Sequence, residues 1–201
     1  SEEYALQNRV IAYNRADLGG YGSEFVNYLE SGDLDGLVAK AGYVDLSVVT
    51  DPQDRAIKRL SAELEEGDNE FETEIVEDLL KTMNTHARMS TTFRFAPGSA
   101  ALDNKGQRDL MRAVNYLRDH KPSEVIVVGF TDDKGPFDPN LLISQERAEA
   151  VMQDLMSAAS GGELDGVDVK AMGFGELEPV ACNTNPHGRA TNRRVEIWVK
   201  T

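Results

Sequence analysis

The sequence predicts an α/β fold of the α+β sandwich kind, with strands and helices in the order βαβαββ and helices on one face of a mixed sheet. Three observations predict it. Polar and apolar residues alternate over 90–95 and 195–199, as in half-buried strands, and a continuous apolar run fills 125–128, as in a strand buried on both faces. Apolar residues at helical spacing fill the intervals 103–120 and 139–158. Helices between strands favour a layered α/β domain.

The first half of this domain has clear boundaries. Phe93 and Phe95 share one face of the first strand, which Pro97-Gly98 ends. The helix that follows runs from about Asp103 to His120 and ends at Lys121-Pro122. Its inward side chains are expected to be Leu110, Val114 and Leu117.

In the second half, Asp138 is expected to be the N-cap of a helix that has Pro139 in its first turn and ends near Ala158. A third strand is predicted over 167–172, and Gly188 to Glu196 is interpreted as the opening of the last strand. Alternation there points Val195, Ile197 and Val199 inward, and Arg194, Glu196 and Trp198 outward. Trp198 is then either covered by preceding helices or part of a self-association surface.

Composition excludes several functions for the 201 residues. A net charge of −14 argues against general binding to nucleic acid or anionic lipid, because both are polyanions. The single cysteine, Cys182, allows no intrachain disulfide, and the three histidines lack the spacing of a metal site, so we expect no metal and no cofactor. No apolar run reaches the length of about 18 residues that a transmembrane helix needs.

The amino-terminal part predicts, in order, a strand at 10–13, a helix over 21–29, a helix at 37–39 and a strand at 43–46. Two amphipathic helices are expected next, the first with Asp51 as its N-cap and Pro52 at its first position. The acidic stretch 63–78 is interpreted as a solvated helical connector, because it contains no calcium-binding loop pattern.

Two opposite charges carry the functional hypothesis. Asp132 follows the buried strand, and Arg147 lies on the border of the next helix with Asn140 and Ser144. These positions allow the carboxylate and the guanidinium to face one small cavity, where they suit a ligand that carries an ammonium and a carboxylate on one carbon. The alternative is a simple salt bridge that ties the loop to the helix.

An enzyme would need a positioned nucleophile or an acid/base pair. Ser144 has no histidine in a triad-like context, and Cys182 has only His187 nearby in sequence to lower its pKa. We therefore expect a protein that is not an enzyme.

Several blocks in a fixed order resemble the OmpA-like C-terminal domain over about 90–200. They are Gly129-Phe130-Thr131-Asp132-Asp133-Lys134-Gly135, then Asn140-x-x-Ile143-Ser144-x-x-Arg147-Ala148, and Asn192-Arg193-Arg194-Val195-Glu196. Phe93-Arg94-Phe95 with Ser99, and Gly173-Phe174-Gly175-Glu176, support the match. The chain departs from the family pattern at Phe130, usually His, and at Ile143, usually Leu.

This resemblance implies a non-catalytic module that binds peptidoglycan through the diaminopimelate residue of its stem peptide. The family's ammonium-binding Asp corresponds to Asp132, its carboxylate-binding Arg to Arg147 and its pocket Asn to Asn140. The first Arg of its final motif corresponds to Arg193, and Thr131 belongs to the same expected site. Arg193 is expected under the pocket mouth, and Arg194 at the surface. The resemblance also implies a place in the periplasm, at the cell wall or outer membrane, with possible envelope protein partners.

Residues 4–46 have a separate similarity, to the closing stretch of phosphate-type periplasmic solute-binding domains. The domains expected are therefore a carboxyl-terminal fragment of such a domain at 1–50, a helical connector at 51–88 and the OmpA-like domain at 89–201. The alternative function that this similarity implies is part of a phosphate or anion receptor whose ligand site lies mostly outside this chain. We expect the chain to begin partway through that domain.

Overall fold

One mixed sheet of five strands organises the computed structural model, which describes residues 15, 19–30, 32–42, 47–66, 73–96, 98–99 and 101–200. The order across the sheet is β1-β2-β5-β3-β4. Neighbouring strands are antiparallel except β3 and β4, which are parallel. The strands are β1 (Thr50–Asp51), β2 (His86–Arg94), β3 (Glu124–Phe130), β4 (Asp168–Gly173) and β5 (Arg194–Lys200).

Two long helices cover the first face of this sheet, as predicted. They are α5 (Asn104–His120) and α6 (Phe137–Ala158). Leu110, Val114 and Leu117 all point into the core beneath them, together with the inward side chains of β5. Asp103 caps α5 by accepting a hydrogen bond from the Gly106 N–H at 2.7 Å, which is the N-cap geometry that a short acidic side chain provides.

The second face of the sheet is covered as well. Two further helices, α3 (Asp54–Glu66) and α4 (Thr73–Thr85), pack their apolar side chains against β3 and β5. Trp198 is completely buried in this layer, among Leu79, Met83 and Ile126. Of the two alternatives for Trp198, coverage by the preceding helices is therefore confirmed. The prediction of helices on one face holds for the helices within the OmpA-like region, and the connector helices α3 and α4 cover the other face.

Three predicted element boundaries are wrong in detail. Asp51 is not the N-cap of α3, because it pairs with Arg88 in the short strand β1 and the helix begins at Asp54. Asp138 lies inside the first turn of α6, whose N-cap position is Pro136. The stretch from Gly188 does not open the last strand, because Pro186–Asn192 forms a short helix, α7, and β5 begins at Arg194.

The residues before Val48 form a separate compact unit, Ser1–Ser47, distinct from Val48–Thr201. It contains helix α1 (Tyr21–Glu30), a single 3-10 turn at Gly32–Leu34 and helix α2 (Asp35–Lys40). Both helices were predicted, whereas the predicted strands at 10–13 and 43–46 lie outside the described residues. None of the described helices has the length and apolarity that crossing a bilayer requires.

Candidate functional site

The loops after β3 and β4 meet at the end of the sheet where both strands finish, because parallel strands end on the same side. This end of the sheet is called the edge here. The Thr131 N–H donates to the Gly175 carbonyl at 2.7 Å, and the Phe174 N–H donates to the Gly129 carbonyl at 3.1 Å. These bonds fix the backbone immediately before Asp132. Gly135 adopts a φ of +97°, which glycine reaches without strain, and turns the chain back toward α6.

Asp132 is held as a preorganised acceptor. Its Oδ2 atom accepts from Arg193 Nη1 at 2.6 Å, and its Oδ1 atom accepts from the Lys134 N–H at 3.1 Å. The Arg193 Nε atom in turn donates to the Phe95 carbonyl at 3.3 Å. Arg193 stands at the junction of α7 and β5, so the final motif of the chain reaches the loop after β3.

Arg147 projects from α6 into the same region. Its side chain is only 4% exposed, its Nε donates to the Ser99 carbonyl at 3.3 Å, and its guanidinium carbon lies 5.6 Å from the centre of the Phe95 ring. Its two terminal nitrogens have no hydrogen-bond partner among the described residues. Burial and the nearby Arg193 charge lower the pKa of Arg147, and the negative charge of Asp132 opposes that shift.

Asn140 and Thr131 complete the set. Asn140 Nδ2 donates to the Asp132 backbone carbonyl at 3.3 Å and to the Glu176 carboxylate. The hydroxyl of Thr131 is buried and has no hydrogen-bond partner among the described residues. A buried hydroxyl without a partner costs free energy, so it is a natural contact point for a bound polar group.

The structure therefore brings all five sequence-predicted site residues, Thr131, Asp132, Asn140, Arg147 and Arg193, to one edge of the domain. The simple salt bridge between Asp132 and Arg147 is not formed, because Asp132 is paired with Arg193. Two arginines and two carboxylates, those of Asp132 and Glu176, lie at this edge, so their formal charges balance. Such an arrangement can accept a carboxylate at Arg147 while Asp132 attracts an ammonium.

Arg194 was expected at the surface, and this prediction is wrong. Its side chain is 1% exposed, its Nε donates to Glu196 Oε1 at 2.6 Å, and its guanidinium carbon lies 4.0 Å from the centre of the Phe130 ring. Because α3 and α4 cover that face of the sheet, alternation along β5 separates two buried layers and not core from solvent. Arg194 is thus part of the fold and not of the edge site.

Three residues of the edge were not assigned a role from the sequence. Phe95 supplies both a carbonyl to Arg193 and a ring to Arg147, Ser99 supplies a carbonyl to Arg147, and Glu176 orients Asn140. All three lie in blocks that carry the family resemblance, which was the only signal available. Backbone acceptors such as those of Phe95 and Ser99 leave no mark in side-chain chemistry.

The structure is a mixed α/β domain with a cluster of charged side chains at one edge. The family model for the OmpA family matches residues 94–193. This part of the chain is accordingly an OmpA-like domain.

Similar curated proteins share this region. The probable lipoprotein YiaD of Escherichia coli K12 is 32% identical over 57% of this chain and 50% of its own length. The peptidoglycan-binding protein ArfA of Mycobacterium tuberculosis H37Rv is 32% identical over 52% of this chain and 31% of its own length. The chain thus spans half or less of the length of these two relatives. Among solved structures, the peptidoglycan-associated lipoprotein of Burkholderia pseudomallei aligns at 28% identity with a TM-score of 0.48, covering 56% of this chain and 91% of that one.

Proposed function

We propose that the OmpA-like domain binds peptidoglycan non-covalently through the diaminopimelate residue of the stem peptide, and so tethers an envelope protein to the cell wall. The observation that carries the proposal is the buried charge set at one edge. The two terminal nitrogens of Arg147 have no hydrogen-bond partner there among the described residues, and Arg193 holds Asp132 in the same set. The free end of diaminopimelate is an amino acid head, whose ammonium and carboxylate match these two charges.

Contacts within the edge also support a binding role over a catalytic one. The Ser144 hydroxyl donates to the Leu141 carbonyl at 2.7 Å and accepts from the Gly175 N–H at 2.9 Å. A serine engaged in this way joins α6 to the loop after β4, and its hydroxyl is not free to act as a nucleophile. The name of the ArfA relative, a peptidoglycan-binding protein, points in the same direction.

This function implies a place in the periplasm, at the cell wall or the outer membrane. The relative named outer membrane porin F, from Pseudomonas aeruginosa, is 30% identical over 56% of this chain. Peptidoglycan is the proposed partner, and other envelope proteins would be brought to the wall with the chain.

Calorimetry with a purified stem peptide tests the proposal. The peptide that ends in meso-diaminopimelate should bind, and the same peptide with L-lysine at that position should bind far more weakly, because lysine lacks the second carboxylate. Each charge-assisted hydrogen bond contributes about 1.5–3 kcal/mol, so Arg147→Ala should weaken binding by about tenfold to a hundredfold. Arg118→Ala, an exposed arginine of α5, is the matched control and should change nothing.

A second pair of variants separates binding from folding. Asp132→Asn keeps the shape of the side chain and should abolish binding, whereas Asp133→Asn changes the exposed neighbour and should not. Thermal unfolding of each variant checks that the domain remains folded. Equal affinity for the diaminopimelate and lysine peptides, or full binding by folded Arg147→Ala, would count against the proposed ligand.

The alternative, part of a phosphate or anion receptor, depends on residues 1–50 alone and stays a prediction. Calorimetry of this chain with inorganic phosphate should give no heat of binding. A clear signal would overturn that expectation, because the alternative places the ligand site mostly outside this chain.

A further inference from the structure

A groove of about 760 Å³ lies beside β4, the edge strand of the sheet. Helix α4 forms one wall and α6 the other. Its accessible apolar surface comes from Leu141, Leu142 and Met172, with the buried Phe174 beneath them, and Leu142 is 66% exposed. The groove contains none of the five predicted site residues of the edge.

Acidic side chains line the α4 wall of this groove. Glu74, Glu77 and Asp78 are exposed there, and Lys81 is the one basic residue among the lining residues described. None of the three carboxylates forms an ion pair with another described residue. The groove therefore combines an apolar floor with a net negative rim, and no described residue neutralises these three carboxylates by an ion pair.

We propose that this groove docks a cationic segment of a partner protein, one that inserts a large apolar side chain against Leu142 and Met172 and places lysines or arginines beside α4. The volume is that of a site for a short peptide segment, and an exposed apolar surface rimmed by charge is typical of such sites. Opposite charge attracts the segment and sets its orientation, while the apolar floor supplies affinity.

Charge also selects this occupant over a second copy of the chain. The chain carries a net charge of −14, so another copy would bring a surface of the same sign to the rim. Polyanions such as nucleic acid are disfavoured for the same reason. A cationic segment is the partner that is attracted by every charged side chain of the α4 wall except Lys81.

Fluorescence anisotropy with a defined peptide tests the proposal on the full chain. The probe is a labelled twelve-residue peptide of alanine and four lysines, with two leucines at i and i+4, and its companion has serines in place of the leucines. At physiological salt the leucine peptide should bind about tenfold or more tightly than the serine peptide, since a buried apolar side chain is worth that much.

Variants locate the binding. Leu142→Ser should weaken the leucine peptide by about tenfold, and Glu77→Lys with Asp78→Lys should do so by a similar factor. Asp154→Lys, an exposed acid farther along α6, is the matched control for charge and should change affinity less than about twofold. Circular dichroism confirms that each variant is folded.

Each other outcome overturns the proposal. Equal affinity of the two peptides would show that they bind by general electrostatic attraction to an acidic protein and that no apolar side chain enters the groove. Unchanged affinity in Leu142→Ser would place the peptide elsewhere. A concentration-dependent dimer that Leu142→Ser dissolves would identify a second copy as the occupant, and absence of binding to the full chain would show that the groove is not open to a partner.

Discussion

Replacing Glu196 by glutamine should strongly destabilise the unit Val48–Thr201, which contains the sheet. Glu196 is 1% exposed and accepts hydrogen bonds from Arg194 Nε at 2.6 Å and from Trp198 Nε1 at 2.8 Å, with Arg88 Nε at 3.5 Å. Burial raises the pKa of this carboxyl, but the charges of Arg194 and Arg88 and the two hydrogen bonds together lower it below its usual range. Glu196 is therefore a buried carboxylate that neutralises the charges of Arg194 and Arg88.

The magnitude follows from this geometry. Glutamine offers one acceptor oxygen where two donors now bind, and it leaves the buried Arg194 charge without a counter-ion. Breaking a buried ion pair from one side costs about 3–5 kcal/mol, a large part of the roughly 5–15 kcal/mol that stabilises a typical domain. Removing both charges at once, with Arg194→Met and Glu196→Leu, should recover much of the loss.

Urea unfolding followed by tryptophan fluorescence provides the assay. Trp198 is the only tryptophan of the chain and is fully buried beneath α3 and α4, so its emission reports on this unit alone. Glu146→Gln, at an exposed position of α6, is the control and should stay within about 0.5 kcal/mol of the native protein. A loss below about 1 kcal/mol for folded Glu196→Gln would refute the reasoning that the carboxylate compensates buried positive charge.

Two further predictions concern stability. Burial lowers the pKa of His86 below 6.5, against the opposing effects of the Thr82 carbonyl and the Glu124 carboxylate. Its contribution to the free energy of unfolding is therefore complete above about pH 6.5 and is lost as pH falls through the lower folded-state pKa. His86→Gln should flatten the pH dependence of the urea midpoint in that range, and an unchanged slope would exclude His86 as its source. Gly129→Ala would place a Cβ atom 2.0 Å from the Ser144 carbonyl oxygen on α6, so we expect a loss of about 3 kcal/mol or more in the same assay. A midpoint like that of the native protein would contradict this close packing of β3 on α6.

The sequence was a good guide to the elements with strong periodicity. The apolar spacing of α5 and α6 and the continuous run of β3 each specify one structure, because few alternatives bury the same residues. The helix α7 was missed although a signal was present. Asn185 followed by Pro186 is a typical helix start, and the Asn185 side chain does accept from the Gly188 N–H at 2.8 Å.

The burial of Arg194 and Trp198 could not be predicted from alternation in β5. A strand pattern separates two faces but does not say what lies on each, and an arginine with an outward phase is ordinarily solvated. Coverage of Trp198 by the preceding helices was one of two alternatives from the sequence, and the amphipathic pattern of α4 did not decide between them. Knowing that α3 and α4 pack on β5 requires long-range information, which only the structure supplies.

At the edge site, side-chain chemistry identified the charged residues but not how they are paired. Asp132 and Arg147 were expected to form either a ligand site or a salt bridge with each other. The structure pairs Asp132 with Arg193, which is 61 positions away in sequence. The carbonyl groups of Phe95 and Ser99 are equally beyond sequence reasoning, since every residue has one.

The layer formed by α3 and α4 determines how short a fragment of this chain can be and still keep its apolar residues buried. Cutting before Met89, the predicted start of the OmpA-like domain, would remove that layer and expose the indole of Trp198, together with Ile126 and Val128, to water. Such a fragment would expose the apolar side chains on that face of the sheet and should self-associate. A piece that starts at Val48 keeps the helices on both faces of the sheet, and it is the natural unit for binding experiments on the edge site.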